Sequence, residues 1–413
     1  MKASEVLKKY ADGERNFCHA NLRGQSFKRK DLSGADFSHA KIQSADFSNA
    51  NLKNAKFIST EAGLQGYWAI VTVIILLFLS IVLGFFPAIA SSSVISLFLP
   101  LNLQEFDLIP AVLVLIVLTV FFITTIRQGL GVGIGAGIAA VAGTMAVSAA
   151  LAWAGAKSGV LAVAVAGTGA LAGAIVGTGL VAITVAVARA VALRWSVFVA
   201  LTEIIMTGVW SAISSRVEVT WAGKVVAAVG WGWAVMAMIV AETITGLGIY
   251  LAWRALLRDE KQAFIHEIAI SLAAIKGTSF RNADLTDADF IGATLKNTDF
   301  RKAILTRTYW HNVKNLNLAR LGTTYLQNAK LQQLLTDKIQ DINFDRQDLR
   351  GVNLQGFELA GASFVDADLS QANLQEVKLF EAKLVRTNLD QANLSNADIL
   401  PDRISKTGVL LGN

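Results

Sequence analysis

Glu203 and Glu242 have the setting of reacting groups. Each lies inside an apolar run, roughly 12 to 18 Å from the nearest charged end at about 1.5 Å per helical residue. A carboxylate in an apolar medium is costly, so it serves to relay a proton, to bind a cation, or to hydrogen-bond a neighbour. The available neighbours are Thr202, Thr243, Thr245 and the indole N–H groups. No basic residue lies at matching depth. The four histidines, His19, His39, His266 and His311, stand apart from any other His, Cys or carboxylate at metal-ligand spacing. Asp284, Asp287 and Asp289 recur where a repeat tolerates polar residues, and no second ligand type converges on them. No metal and no cofactor is expected. No nucleophile, base and oxyanion-stabilising set occurs, so the chain does not read as an enzyme.

Lys28, Arg29 and Lys30 are consecutive in a stretch, Met1 to Thr60, that carries 11 Lys or Arg against 6 Asp or Glu. Such a patch is drawn to an anionic leaflet or an acidic partner; the plainer reading is a solvated face that orients the protein. Gly169, Gly173 and Gly177 are four apart, which lets helix backbones approach closely. A phosphate loop would need a following Lys and a preceding strand. Trp221 and Trp253 suit interfacial anchors, while Trp231 and Trp233 lie deeper.

These residues must be positioned by two very different kinds of segment. From Phe344 to Ile399 an apolar residue recurs every five positions without a break, through Leu349, Leu354, Leu359, Phe364 and onward. The position two before the centre settles to Ala, as at Ala362, Ala367 and Ala372. Five matches neither a helix nor a strand, so the repeat is read first. Four pentapeptides per turn would point the large and small residues inward and stack turns at about 4.8 Å. A first block has centres from Phe17 to Phe57. A later one begins at Phe280, slips by one near Tyr309, Trp310 and His311, resumes at Leu316, and meets a helical insert near 331–342.

The runs GADFSHAKIQSADFSNANL and VDADLSQANL follow a pattern of Ala, then Asp or Asn, then Leu or Phe, then two free positions. They resemble the pentapeptide-repeat family. The resemblance implies a right-handed quadrilateral β-helix, here in two blocks flanking an α-helical transmembrane bundle. The stretch YADGERNF also resembles the opening of many cyanobacterial members.

The middle of the chain is apolar. Hydrophobic residues make up 54 % of the sequence and mean hydropathy is +0.49. Trp68–Ala90, Leu108–Ile126, Leu130–Ala152, Val160–Val187, Trp195–Ser214 and a run from Lys224 to Trp253 read as spans, with less certain breaks at Lys157 and Arg216 leaving four to six. The expected domains are 1–62, a helix from Ser4 to Gly13 plus repeats; 67–254, the bundle; 255–276, an amphipathic helix with Phe264, Ile268 and Leu272 on one face that caps the second block; and 277–413, the second block. Six spans put the N-terminal block, Arg127, Arg189, Arg194 and Arg254 on one side, the positive-inside pattern. Both blocks would then be cytoplasmic, in a plasma or thylakoid membrane. The single Cys18 excludes an internal disulfide.

The whole architecture resembles cyanobacterial integral-membrane pentapeptide-repeat proteins, including the heterocyst glycolipid-localisation type. This implies a membrane-anchored scaffold with a protein partner on its solenoid, contact with membrane lipids, and a role in membrane or envelope-glycolipid organisation. A homo-oligomer is compatible with it. A transporter or channel is the alternative, resting on Glu203 and Glu242. Nucleic-acid mimicry needs an acidic coil, whereas Gly277 to Asn413 holds 16 acidic and 16 basic residues.

Overall fold

The computed structural model describes residues 1–83, 109–129, 132–136, 138–139, 141–142, 158–191, 193–214, 231–256, 260–336 and 343–399. It divides into two compact units, Met1–Trp68 with Ala273–Asn413, and Ala69–Leu272.

The first unit is a four-sided coil. Parallel bridges join residues twenty apart, as in Asn16 with Asp36 and Asn353 with Asn373, so four pentapeptides complete a turn. At each corner the centre's carbonyl accepts the N–H of the residue three on, as Phe37 accepts from Ala40 at 2.9 Å. The residue two past the centre sits at positive φ, near +58° at His19 and His39. That is a type II turn geometry. The Asp or Asn before each centre stabilises the corner. Its side-chain oxygen accepts the N–H two residues on, as Asp36 does from Ser38 and Asp289 from Ile291. These acids recur because they hold turns, and not merely because the position tolerates them.

The two blocks expected from the sequence are a single coil. Asp46 bridges Ser279, Asn51 bridges Asp284, Lys56 bridges Asp289 and Glu61 bridges Thr294. The first face carries Phe17, Phe37, Phe57, Phe290 and Trp310 in a stacked ladder, with centroids 5.6, 5.4, 4.8 and 5.0 Å apart. The third carries Phe27, Phe47, Phe280 and Phe300 at 5.0, 5.2 and 5.3 Å. The second and fourth carry Leu and Ile. One continuous core runs from Val6 to Leu389.

The intervening unit therefore leaves and rejoins the coil at one corner, between the second face, ending at Ala62, and the third, starting at Phe280. The Gly63 N–H donates to Thr278 Oγ1 at 2.8 Å, and the Thr278 N–H donates to the Gly63 carbonyl at 3.0 Å. Gly63 has φ +108° and lies hard against the Lys296 carbonyl; Gly277 lies equally close to that of Asn297. Neither position has room for a Cβ.

A helix α1, Ala3–Ala11, closes the N-terminal end with Val6 buried and Leu7 and Tyr10 packed on the core. Lys2, not Ser4, is its N-cap. The register slip falls between Lys314 and Leu318, not at Trp310, which keeps the inward position and is 1 % exposed. Asn315 adopts φ 58° there and opens a short 3-10 turn. The helical insert appears as Ala329–Thr336; its expected continuation to 342 lies outside the described residues.

The second unit is helical: α2 Gly66–Leu83, α3 Ile109–Gln128, α4 Ser158–Val191, α5 Leu193–Ser214, α6 Trp231–Leu256 and α7 Ala263–Ala273. In α4, the segment Ala172–Val191 is long and apolar enough to cross a membrane by length and composition, and it is largely buried. It packs against α3, α5 and α6. Gly248 on α6 comes so close to Val181 and Thr178 of α4 that a Cβ would overlap Val181 at 2.8 Å, the tight packing that small residues permit. The expected span Leu130–Ala152, the acidic loop with Glu105 and Asp107, and the breaks at Lys157 and Arg216 lie mostly or wholly outside the described residues. The helix α7 turns the opposite way from expectation. Phe264 and Leu272 are exposed, while Ile265, Ala269 and Ala273 are buried. The rung it was expected to cover is paired with the first block, Ser279 bridging Asp46.

Candidate functional site

Within the coil, inward positions are fixed by packing, and the corner residues face outward. His19 and His39 stack across adjacent turns at 4.9 Å. Ion pairs climb the corners in the same way: Arg307 with Asp287 at 2.7 Å and Lys378 with Glu358 at 3.0 Å. Asn353, Asn373 and Asn393 form an amide ladder. These cross-turn contacts brace the surface. Lys28, Arg29 and Lys30 are fully exposed at the corner between the third and fourth faces. Asp289, flanked by Lys56, has its carboxyl raised, chiefly by burial. Among the described residues no group of three or more His, Cys, Asp or Glu could hold a metal ion.

Within the helical unit, Glu203 on α5 is wholly buried and Glu242 on α6 is half-buried. Ser80 is the hydroxyl neighbour of Glu203, but its Oγ donates to the Leu76 carbonyl at 3.0 Å, so no well-formed bond reaches the Glu203 oxygens, and Oε1 of Glu242 has no partner among the described residues. The threonines expected to satisfy them are engaged elsewhere. Thr202 and Thr243 donate to their own helices, at Phe198 and Ile239, each at 2.8 Å. Thr245 pairs with Thr207 at 3.1 Å. That pair joins α5 to α6 one turn from each acid. The structure records no hydrogen bond between the two glutamates among the described residues. Trp210 donates to the Ile81 carbonyl at 2.7 Å, linking α5 to α2.

The polarity of this unit is inverted. Ser80, Thr178, Thr207, Thr245 and Glu203 are buried. Ile70, Ile74, Ile75 and Phe78 on α2, and Val197, Phe198, Leu201 and Ile205 on α5, are exposed. Sequence hydropathy indicates apolar segments but not which side faces out.

A coil of inward Phe or Leu every fifth residue, with a turn-holding Asp or Asn before the centre, is the arrangement that pentapeptide repeats build. The family pattern of pentapeptide repeats matches eight copies, over residues 16–58, 271–307, 340–375 and 372–400. These segments lie almost wholly in the coil and make up about a third of the chain. No curated protein matches as a relative. Among solved structures, HetL, a pentapeptide repeat protein involved in heterocyst differentiation regulation from the cyanobacterium Nostoc sp. strain PCC 7120, is 12 % identical, with 98 % of each chain covered and a TM-score of 0.27. A second Nostoc pentapeptide repeat protein is 30 % identical over 19 % of this chain and 84 % of its own, at TM-score 0.13. One from the cyanobacterium Cyanothece is 19 % identical over 33 % of this chain and 60 % of its own, at TM-score 0.13.

Proposed function

We propose that the protein is a non-enzymatic, membrane-anchored scaffold whose cytoplasmic coil binds a protein partner. The observation that carries this reading is the inverted polarity of the helical unit. In water, exposing rows of Ile, Val and Phe while burying Glu203 and four hydroxyls would be doubly unfavourable. In lipid, apolar side chains suit the outer face, and polar groups are less costly turned into the bundle than toward hydrocarbon. The coil offers what a scaffold needs, a braced surface with variable corner residues on an invariant core.

The continuous coil also constrains topology. Gly63 and Thr278 hydrogen-bond to one another, which supports both ends of the insertion lying on one side of any membrane. The number of spans is then even, four or six. The positive-inside pattern assigns that side to the cytoplasm, of a plasma or thylakoid membrane. Organisation of membrane or envelope glycolipid is the form of scaffolding that lipid contact would express.

High-pH carbonate extraction of native membranes, followed by mild-detergent capture that reads both proteins and lipids, tests the proposal. Retention in the pellet and recovery of a specific protein through the coil are expected. Release by carbonate refutes anchoring; capture without a specific partner refutes scaffolding.

Transport is the second reading, favoured by the buried Glu203. In liposomes, flux of protons or monovalent cations above background that falls at least tenfold in Glu203→Gln would establish it. Equal background flux in both proteins would remove it.

A further inference from the structure

The coil juxtaposes basic residues that the sequence separates by more than two hundred positions. The third face rises through bridges Ser26–Asp46, Asp46–Ser279, Ser279–Asp299 and Asp299–Arg320. The corner after it is stacked in the same order. The Arg29 N–H donates to the Ser48 carbonyl, Asn49 to Arg281 and Asn282 to Arg301, at 2.9 to 3.0 Å. Lys28, Arg29 and Lys30 of the first rung therefore share one edge with Arg281, Lys302 and Arg320 above them. Five rungs at about 4.8 Å make a ridge roughly 19 Å tall. Arg301 lies on it too, but is held bidentately by Asp299. Among the described residues no salt bridge engages Lys28, Arg29, Lys30, Arg281 or Lys302, and all five are exposed. The diagonally opposite edge carries Cys18, His19, His39, Ile58, Ser59 and Gly292, with no Lys, Arg, Asp or Glu at these positions.

We propose that this ridge is a docking edge for an anionic lipid surface, and that the coil leans on the membrane along it. The inference rests on the membrane reading of the helical unit and adds to it which edge of the coil meets the leaflet and why. Chain length supplies the proximity. The helix α2 begins at Gly66, three residues after the coil ends at Gly63, a tether of about 10 Å. The exit corner lies between the basic and the uncharged edges, so tethering alone treats the two alike. Charge selects between them. Each Lys or Arg near an anionic leaflet contributes roughly a fivefold gain in partition, and the attraction reaches about one Debye length, near 8 Å at physiological salt. A flat leaflet suits a straight row of long, mobile, unpaired cations. An acidic protein is the competing occupant.

The test uses the full-length protein in vesicles, with Cys18→Ser and a spin label at Ser48→Cys on the basic edge or Ile58→Cys on the uncharged edge. Nickel-chelating lipid reports approach to headgroups. With about 30 % phosphatidylglycerol, the label at position 48 should broaden at least about threefold more than that at 58. The excess should vanish in about 0.5 M NaCl and in a variant with Lys28, Arg29, Lys30, Arg281 and Lys302 all changed to Gln. Equal broadening at the two edges, or an excess indifferent to salt and to the Gln variant, overturns the proposal. So does ridge-dependent capture of an acidic protein from membranes without any lipid-dependent excess. Carbonate release from the same vesicles would signal failure of the membrane reading itself, separately from the ridge.

Discussion

Replacing Phe57 by Ala tests whether the coil is one cooperative body across its interruption. Phe57 is the last aromatic centre before the insertion, and it is fully buried. It stacks on Phe37 at 5.4 Å and Phe290 at 4.8 Å and meets Phe47 and Phe280 edge-on at 5.8 and 5.3 Å. Two of its four ring contacts lie beyond the insertion. Removing a buried Phe costs about 3–5 kcal/mol in transfer and cavity terms, and each lost ring pair accounts for about 0.5–1.5 kcal/mol beyond area. In a repeat array that cost falls on the rung and its neighbours. Amide hydrogen exchange of the full-length protein in nanodiscs reads it directly. The amides of Asn49, Asn54 and Ser59 donate to Arg281, Thr286 and Ile291. Their protection, and that of Phe280 to Gly292, should fall by roughly two to three orders of magnitude, at about 1.4 kcal/mol per decade. If Phe57→Ala loosens residues 37–60 but leaves 280–292 protected, the two blocks do not form one core and the reasoning fails.

Other substitutions probe single elements. Gly63→Ala should lower coil stability by more than about 2 kcal/mol, because both its φ and the Lys296 carbonyl oppose a Cβ, while Gly34→Ala, at φ +67° in open space, should cost about 1 kcal/mol; equal melting shifts would refute the role given to the exit corner. Asp284→Ala removes the acceptor for the Thr286 N–H at 3.1 Å and hydroxyl at 2.7 Å and should cost about 1–2 kcal/mol, whereas Asp284→Asn, which keeps the acceptor, should melt near the wild type. Asp289 carries a pH dependence. Its folded pKa is raised, chiefly by burial, so its ionisation opposes folding above that pKa and the penalty vanishes as pH falls below its ordinary value near 3.8. Asp289→Asn should therefore raise the melting temperature at pH 7 and lose that advantage below pH 4; no gain at neutral pH would contradict the burial argument.

The pentapeptide register was legible from Phe17 to Ile399, because each inward centre shows in one dimension. The unity of the coil was also written there, in a second period. Phe and Leu or Ile alternate every five residues, so Phe recurs every ten and falls on opposite faces of a square. Counting on from Phe57 and Ala62, the next centre should be Phe, and Phe280 continues the series in phase. That phase was missed because either block satisfies the five-residue rule alone. The slip was misplaced because Trp310 breaks the Phe/Leu habit without leaving its inward position, while the extra residue is the inconspicuous Asn315. In the helical unit, uniformly apolar sequence conceals facing. The apolar stripe of Phe264, Ile268 and Leu272 pointed α7 the wrong way, and the burial of Glu203 depends on what packs around α5.

The interruption of the coil also sets a timetable for synthesis. When Ala62 has been made, Asn51, Lys56 and Glu61 can pair with the preceding rung, but their other edge and the outer faces of Phe47 and Phe57 await partners that lie at Thr278 to Thr294. About two hundred residues must follow first, and at roughly 5–20 residues per second that takes tens of seconds. Through this interval the nascent chain presents an open edge with aromatic side chains, the kind of surface chaperones hold and aggregates recruit. The edge closes only when the far end of the insertion returns to the corner from which it left. On the membrane reading proposed above, a chain whose two ends finished on opposite sides of the bilayer would keep that rung unpaired, so completion of the coil would report correct insertion.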